Sequence, residues 1–157
     1  MRLILLLLCA LAMAGCDRQK ADGQQGGEAA DSVPVTGLDR GKKGASFPAV
    51  EFLGPDGETA SFDDFRGKPV LVNLWATWCA PCVKELPTLD ALAKSGRVEV
   101  VAISQDTGPH ASVAAFLDRL RTDQLEAFQD PKMALSGGLG VQILPTTILY
   151  DAHGREV

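Results

Sequence analysis

The chain has 157 residues, 46% of them apolar, which is room for one ordinary domain with a real core plus extra segments. Fifteen basic residues against twenty acidic ones leave a net charge of −5. Phosphate binding needs a basic face, so this balance argues against a nucleic-acid partner and otherwise describes a soluble surface.

The N-terminus, "MRLILLLLCALAMAGC", carries a positive charge at Arg2, an apolar run from Leu3 to Ala14, then Gly15 and Cys16. A bilayer-spanning helix needs about 20 residues, so this run is too short to span and fits a secretory leader over residues 1–15. Small residues just before Cys16 resemble the bacterial lipoprotein signal, in which cleavage leaves the cysteine as a lipid-bearing N-terminus. Met13 stands where that signal more often has leucine. The alternative is an ordinary cleaved leader with Cys16 as a chance neighbour. Asp17 resembles an inner-membrane retention signal of some Gram-negative lipoproteins. Acyl chains would hold the protein at a membrane surface without spanning it.

Residues 16–45, "CDRQKADGQQGGEAADSVPVTGLDRGKKGA", hold no aromatic residue and many Gly, Gln and charged residues. Such a stretch cannot bury enough surface to offset its ordering entropy and is expected to be a flexible tether, reaching about 30 Å by random-coil scaling. The folded domain is expected from Ser46 to Val157. Val50 and Phe52 alternate before Gly54-Pro55-Asp56-Gly57, a β-hairpin pattern. Lys68 to Trp75 contains the apolar run "VLVNLW", suited to a buried and parallel strand. From Ala80 to about Lys94, Leu86, Leu89, Leu92 and Ala93 recur at helical spacing. Val98 to Ser104 reads as another buried strand. His110 to about Arg121 reads as an amphipathic helix with Val113, Phe116, Leu117 and Leu120 on one face. "LEAFQD" fits a short strand, "PKMALSGGLGV" a short helix, Thr146 to Asp151 a strand, and 152–155 a turn. Alternating strands and helices imply an α/β sheet with parallel crossovers.

Cysteine accounting isolates one pair. Cys9 leaves with the leader and Cys16 is expected to be lipidated, so Cys79 and Cys82 remain in the domain. A c-type haem anchor needs histidine directly after the second cysteine, where this chain has Val83. Zinc needs about four ligands, and His110 and His153 are isolated from each other in sequence. A structural disulfide across so short a loop stabilises little through chain entropy. The redox reading accounts for the surroundings. Cys79 follows a buried strand and opens a helix, where unpaired N–H groups and the helix dipole favour a thiolate. Pro81 is tolerated in that first turn. Cys82, one turn in, is expected to be less exposed and to resolve a mixed disulfide at Cys79. Trp78 would screen one side of the sulfur. Pro87 is expected to kink the helix by removing one backbone bond.

"WCAPC" after an apolar strand, with "LPTT" at Leu144–Thr147, resembles the thioredoxin superfamily, and "GKPVLVNLWATWCAPCVKELPTL" is similar to its TlpA/ResA-like membrane-tethered thiol–disulfide oxidoreductases. The resemblance implies a thioredoxin-like α/β fold with an added N-terminal hairpin. Against the family pattern, the last strand and C-terminal helix are expected to be lacking after the Gly154 turn. Cys79 matches the attacking cysteine and Cys82 the buried one. Pro145 matches a cis-proline facing the active site, and Leu144 the residue whose backbone pairs with an extended substrate. Glu85, three residues after Cys82, matches a glutamate that handles the proton of Cys82, and would raise a nearby thiol's pKa. Asn73 stands where cytosolic thioredoxins carry a buried aspartate, consistent with Glu85 replacing that acid. The catalytic set is therefore Cys79, Cys82 and Glu85, with Trp78, Leu144 and Pro145 for substrate. The implied partners are protein disulfides such as apocytochrome c or copper-site proteins, and a transmembrane thiol donor. No cofactor or metal is expected. A copper-binding protein on the same fold is the alternative, although CxxxC with a placed histidine would be expected there. A peroxiredoxin pattern would need threonine and proline where Ala76 and Val72 stand.

Overall fold

The computed structural model describes residues 37–157. The expected leader (1–15), the expected lipidation at Cys16 and the expected tether as far as residue 36 lie outside the described residues. In the remainder of that tether, Lys43 N–H donates to Arg40 O, and Gly44 N–H donates to Glu156 O at 2.7 Å. The Lys42 ammonium donates to the Leu139 carbonyl. Hydrogen-bonded structure thus begins ahead of Ser46, because backbone groups of this polar stretch find partners on the domain behind it.

The elements in chain order are β1 (Glu51–Leu53), β2 (Thr59–Ser61), a 3₁₀ turn (Phe62–Phe65), β3 (Val70–Trp75) and α1 (Ala80–Lys94). They continue with β4 (Glu99–Ser104), α2 (His110–Leu120), β5 (Phe128–Gln129), α3 (Ala134–Leu139) and β6 (Thr146–Tyr150). The six strands form one mixed sheet ordered β2-β1-β5-β4-β3-β6. β3 and β4 pair in parallel, as do β4 and β5, so the β3–α1–β4 and β4–α2–β5 crossovers expected from the alternation are present. β6 returns antiparallel to β3, with Leu74 opposite Thr146 and Asn73 opposite Thr147.

The apolar runs of β3 and β4 are buried on both faces. Val70, Val72 and Leu74 on β3, with Val101 and Ile103 on β4, face a cluster containing Phe52, Phe62, Phe128, Leu135, Leu139 and Tyr150. The alternate positions, Trp75, Val100 and Ala102, face Cys82, Leu86 and Leu89 of α1 and Val113 and Leu117 of α2. The period of two places each run's odd and even side chains on opposite faces, and helices cover both. Burying a side chain such as Leu86, fully inaccessible here, stabilises by about 1.5–3 kcal/mol. α1 runs unbroken through Pro87, which sits on its exposed side. Proline lacks the N–H of one helical hydrogen bond, the cause of the kink expected there.

Candidate active site

The site forms where β3 ends. Cys79 is the N-cap of α1, Ala80 and Pro81 occupy its first turn, and Val83 N–H donates to Cys79 O at 3.0 Å. Cys79 and Cys82 are joined by a disulfide, with their Cα atoms 5.3 Å apart. Cys82 is fully buried and Cys79 keeps 6% of its surface, the order expected, although even the outer cysteine is largely covered. Trp78 projects into solvent with 68% of its surface exposed.

The strand pairing explains how distant residues reach this point. Because β6 is antiparallel to β3 with Thr146 opposite Leu74, the residues just before β6 sit at the same sheet end as the residues just after β3. The Leu144–Pro145 peptide bond there is cis. Leu144 lines a cavity of about 450 Å³ together with Trp78, Cys79, Pro81, Met133 and Ile143. A larger cavity, about 540 Å³, is lined by Lys68, Pro69, Val98 and Glu99. Those residues start β3 and β4, so that cavity lies at the far end of the sheet from the cysteines.

Glu85 is half-buried one turn beyond Cys82 on α1. Its Oε1 accepts a hydrogen bond from Asn73 Nδ2 at 2.7 Å, and the same amide donates to Thr147 Oγ1 at 3.0 Å. Asn73 is wholly buried on β3, and its Oδ1 has no partner among the described residues. The structure therefore gathers Asn73, Glu85 and Thr147 from three elements beneath the CxxC turn. Sequence spacing alone placed Glu85 on the helix but could not show that Asn73 holds it.

A second network holds the loop before Cys79. The Asp106 carboxylate accepts Thr77 N–H at 2.9 Å, Thr77 Oγ1–H at 2.7 Å and Ser104 Oγ–H at 2.6 Å. Gln129 Nε2 in turn donates to the carbonyls of Asp106 and Gly108, at 2.7 and 2.8 Å. Asp106 escaped the sequence reading because it lies outside every periodic element, just past the end of β4. An acid directly after a buried strand, next to a parallel strand ending in "WATWC", is the only signal the chain offers. His110 and His153 stay apart: the His110 ring N–H donates to Ala127 O at 2.6 Å, and His153 is exposed in the turn after β6. Among the described residues, no three His, Cys, Asp or Glu side chains gather as a metal site would.

Comparison with known proteins agrees with this chemistry. The chain is 33% identical over 124 residues to the thiol-disulfide oxidoreductase ResA of Halalkalibacterium halodurans, covering 76% of this chain and 69% of that protein. It is 37% identical over 112 residues to the thiol:disulfide interchange protein DsbE of Pseudomonas fluorescens biotype C, covering 71% of this chain and 62% of that one. Among solved structures, the pneumococcal exposed lipoprotein thioredoxin Etrx1 of Streptococcus pneumoniae superposes with a TM-score of 0.59 at 30% identity, covering 69% of this chain and 84% of that one. The Redoxin family profile matches residues 42–157. That stretch takes in both cysteines and the cis-proline loop beside them, and the chain belongs to the Redoxin family as a thiol–disulfide oxidoreductase of the ResA/DsbE type.

Proposed function

We propose that the protein reduces disulfides in extracytoplasmic proteins, held at the membrane by lipid on Cys16 and recharged by a transmembrane thiol donor. The observation that carries the reading is the placement of Cys79: N-cap of α1, at the edge of a cavity, with Cys82 sealed behind it. In the reduced protein, unpaired N–H groups of the first helical turn favour the Cys79 thiolate. The thiolate attacks one sulfur of a client disulfide, forming a mixed disulfide and releasing the other client sulfur as a thiolate. Cys82, as thiolate, then attacks Cys79, giving the intramolecular disulfide seen here and freeing the second client thiol. Two electrons leave the protein, so an external dithiol must return them.

The buried Cys82 has to lose its proton before it can attack. Glu85, one turn along and held by Asn73, is the group we assign to accept it. Trp78, Leu144 and Pro145 would seat the client as an extended segment beside Cys79. The leader, with its small residues before Cys16, supports export and anchoring. The resemblance to TlpA/ResA-like proteins supports apocytochrome c or copper-site proteins as clients.

Trapping tests the reading. In the full-length, membrane-anchored protein, Cys82→Ser is expected to accumulate disulfide-linked clients on Cys79. These should be extracytoplasmic proteins with paired cysteines, resolved by non-reducing electrophoresis and mass spectrometry. Cys79→Ser is expected to abolish both trapping and disulfide reduction. Reduction that persists in Cys79→Ser, or clients drawn only from the cytoplasm, would falsify it.

A further inference from the structure

The cavity beside Cys79 contains a residue in an unusual conformation. Met133 has φ of +52°, in the left-handed region where a Cβ is disfavoured. The other non-glycine residue there among the described residues, Arg121, closes α2, a common place for that conformation. Met133 instead stands at the start of α3.

Its surroundings hold it in place. Met133 N–H donates to Asp130 O at 3.1 Å, and Gly137 N–H donates to Met133 O at 3.2 Å. The buried Asp130 carboxylate accepts Leu135 N–H at 2.7 Å, and Ser136 Oγ–H donates to the buried Gln105 at 2.8 Å. A strained residue persists only where neighbours over-determine it, and such positions cluster at functional sites. Glycine would adopt this conformation freely, yet the position carries a long apolar side chain.

That side chain is 42% exposed, Ile143 is 41% exposed, and both line the cavity that contains Trp78 and Cys79. None of the cavity's lining residues is charged. Three exposed apolar side chains from three separate segments, Trp78, Met133 and Ile143, thus line the same cavity as Cys79. Methionine is flexible and polarizable enough to fit apolar groups of varied shape.

We propose that Met133, with Ile143, is a specificity-determining residue that selects client disulfides whose cysteine is flanked by apolar side chains. This rests on the reading above that a client disulfide meets Cys79 at this cavity. A flanking Leu loses water against Met133 and Ile143, whereas a flanking Asp must shed hydration in a lining that has the polar Ser136 and Gln142 but no cation to pair with it.

Two disulfide-bonded peptides test this, identical except that the residues flanking one cysteine are Leu in one and Asp in the other. Full-length protein, first reduced with dithiothreitol and freed of it, is expected to reduce the Leu peptide in a single turnover with a second-order rate constant about tenfold higher than for the Asp peptide. Met133→Gly should bring that ratio to within about twofold of unity, Met133→Leu should keep it, and Met133→Lys should move it toward the Asp peptide. A folding defect lowers both rates together and leaves the ratio in place, so the ratio reports selection alone. Equal rates for the two peptides in the unaltered protein, or one ratio shared by all the variants, overturn the inference while leaving the oxidoreductase reading standing. Failure to reduce either peptide overturns both.

Discussion

Tyr150 closes β6 with its ring 4.6 Å from that of Phe47, and its buried hydroxyl has no hydrogen-bond partner among the described residues. Burial, with a smaller contribution from nearby Glu156, pushes its pKa from the ordinary 10.0 up to about 12. The unfolded chain therefore releases this proton at lower pH than the folded one. The stabilisation is complete below pH 10 and is lost as pH rises toward 12, by roughly 2–3 kcal/mol. Urea unfolding at stepped alkaline pH should show this loss, and Tyr150→Phe should remove that share of it. At neutral pH the same substitution deletes an unsatisfied buried hydroxyl and is expected to change stability by less than about 1 kcal/mol. Asn73 contrasts with Tyr150 on the neighbouring strand. It is equally buried but committed to Glu85 and Thr147, so its polar group does positional work beneath the cysteines.

Among the elements, α1 and the loop that feeds it decide where Cys79 sits. α1 spans Ala80–Lys94 as its sequence suggested, since apolar spacing, a first-turn proline and Gly96 beyond its end are all local signals. The loop before it has no such signal and depends on Asp106, which reaches it from beyond β4. Asp106→Ala removes both hydrogen bonds to Thr77 and leaves the turn carrying Trp78 and Cys79 free to shift. Disulfide reduction should fall about tenfold in kcat/KM, because small misplacements of a reacting group cost rate steeply. The measurement is stopped-flow reduction of a peptide disulfide, with Trp78 fluorescence anisotropy reporting the loosened loop. A rate equal to that of the unaltered protein would remove Asp106 from the positioning role.

At the scale of the described domain, the sheet separates two cores with different duties. One face packs α1 and α2 around the cysteines; the other is an aromatic cluster of Phe47, Phe52, Phe62, Phe128 and Tyr150. Phe47 links the N-terminal segment to the turn after β6, its N–H donating to Gly154 O at 2.9 Å. Gly154 has φ of +73°, and a Cβ there would come within 2.5 Å of the Phe47 ring. Gly154→Ala is therefore expected to cost about 2–3 kcal/mol through backbone strain and displacement of the ring. Chemical denaturation checks this, and an effect below about 0.5 kcal/mol would show that the ring moves aside freely. Because the cysteines lie across the sheet, the variant's exchange rate should change less than its stability.

The CxxC pair, its place at a helix start, the alternation of strands and helices and the proline before the last strand were all legible along the chain. Each depends on neighbours within a turn or two, or on a short motif. The strand order was not legible, nor was the two-residue β5 that joins the hairpin to the parallel strands. The carboxylate of Asp106 on the Thr77 loop, the amide of Asn73 on Glu85 and the left-handed Met133 beside Cys79 were equally hidden. These depend on contacts between segments far apart in sequence, which no local period encodes. The sequence by itself determined which cysteines pair at the start of the helix. Only the tertiary structure decided what holds them and what surrounds the sulfur, because those are properties of strands brought side by side.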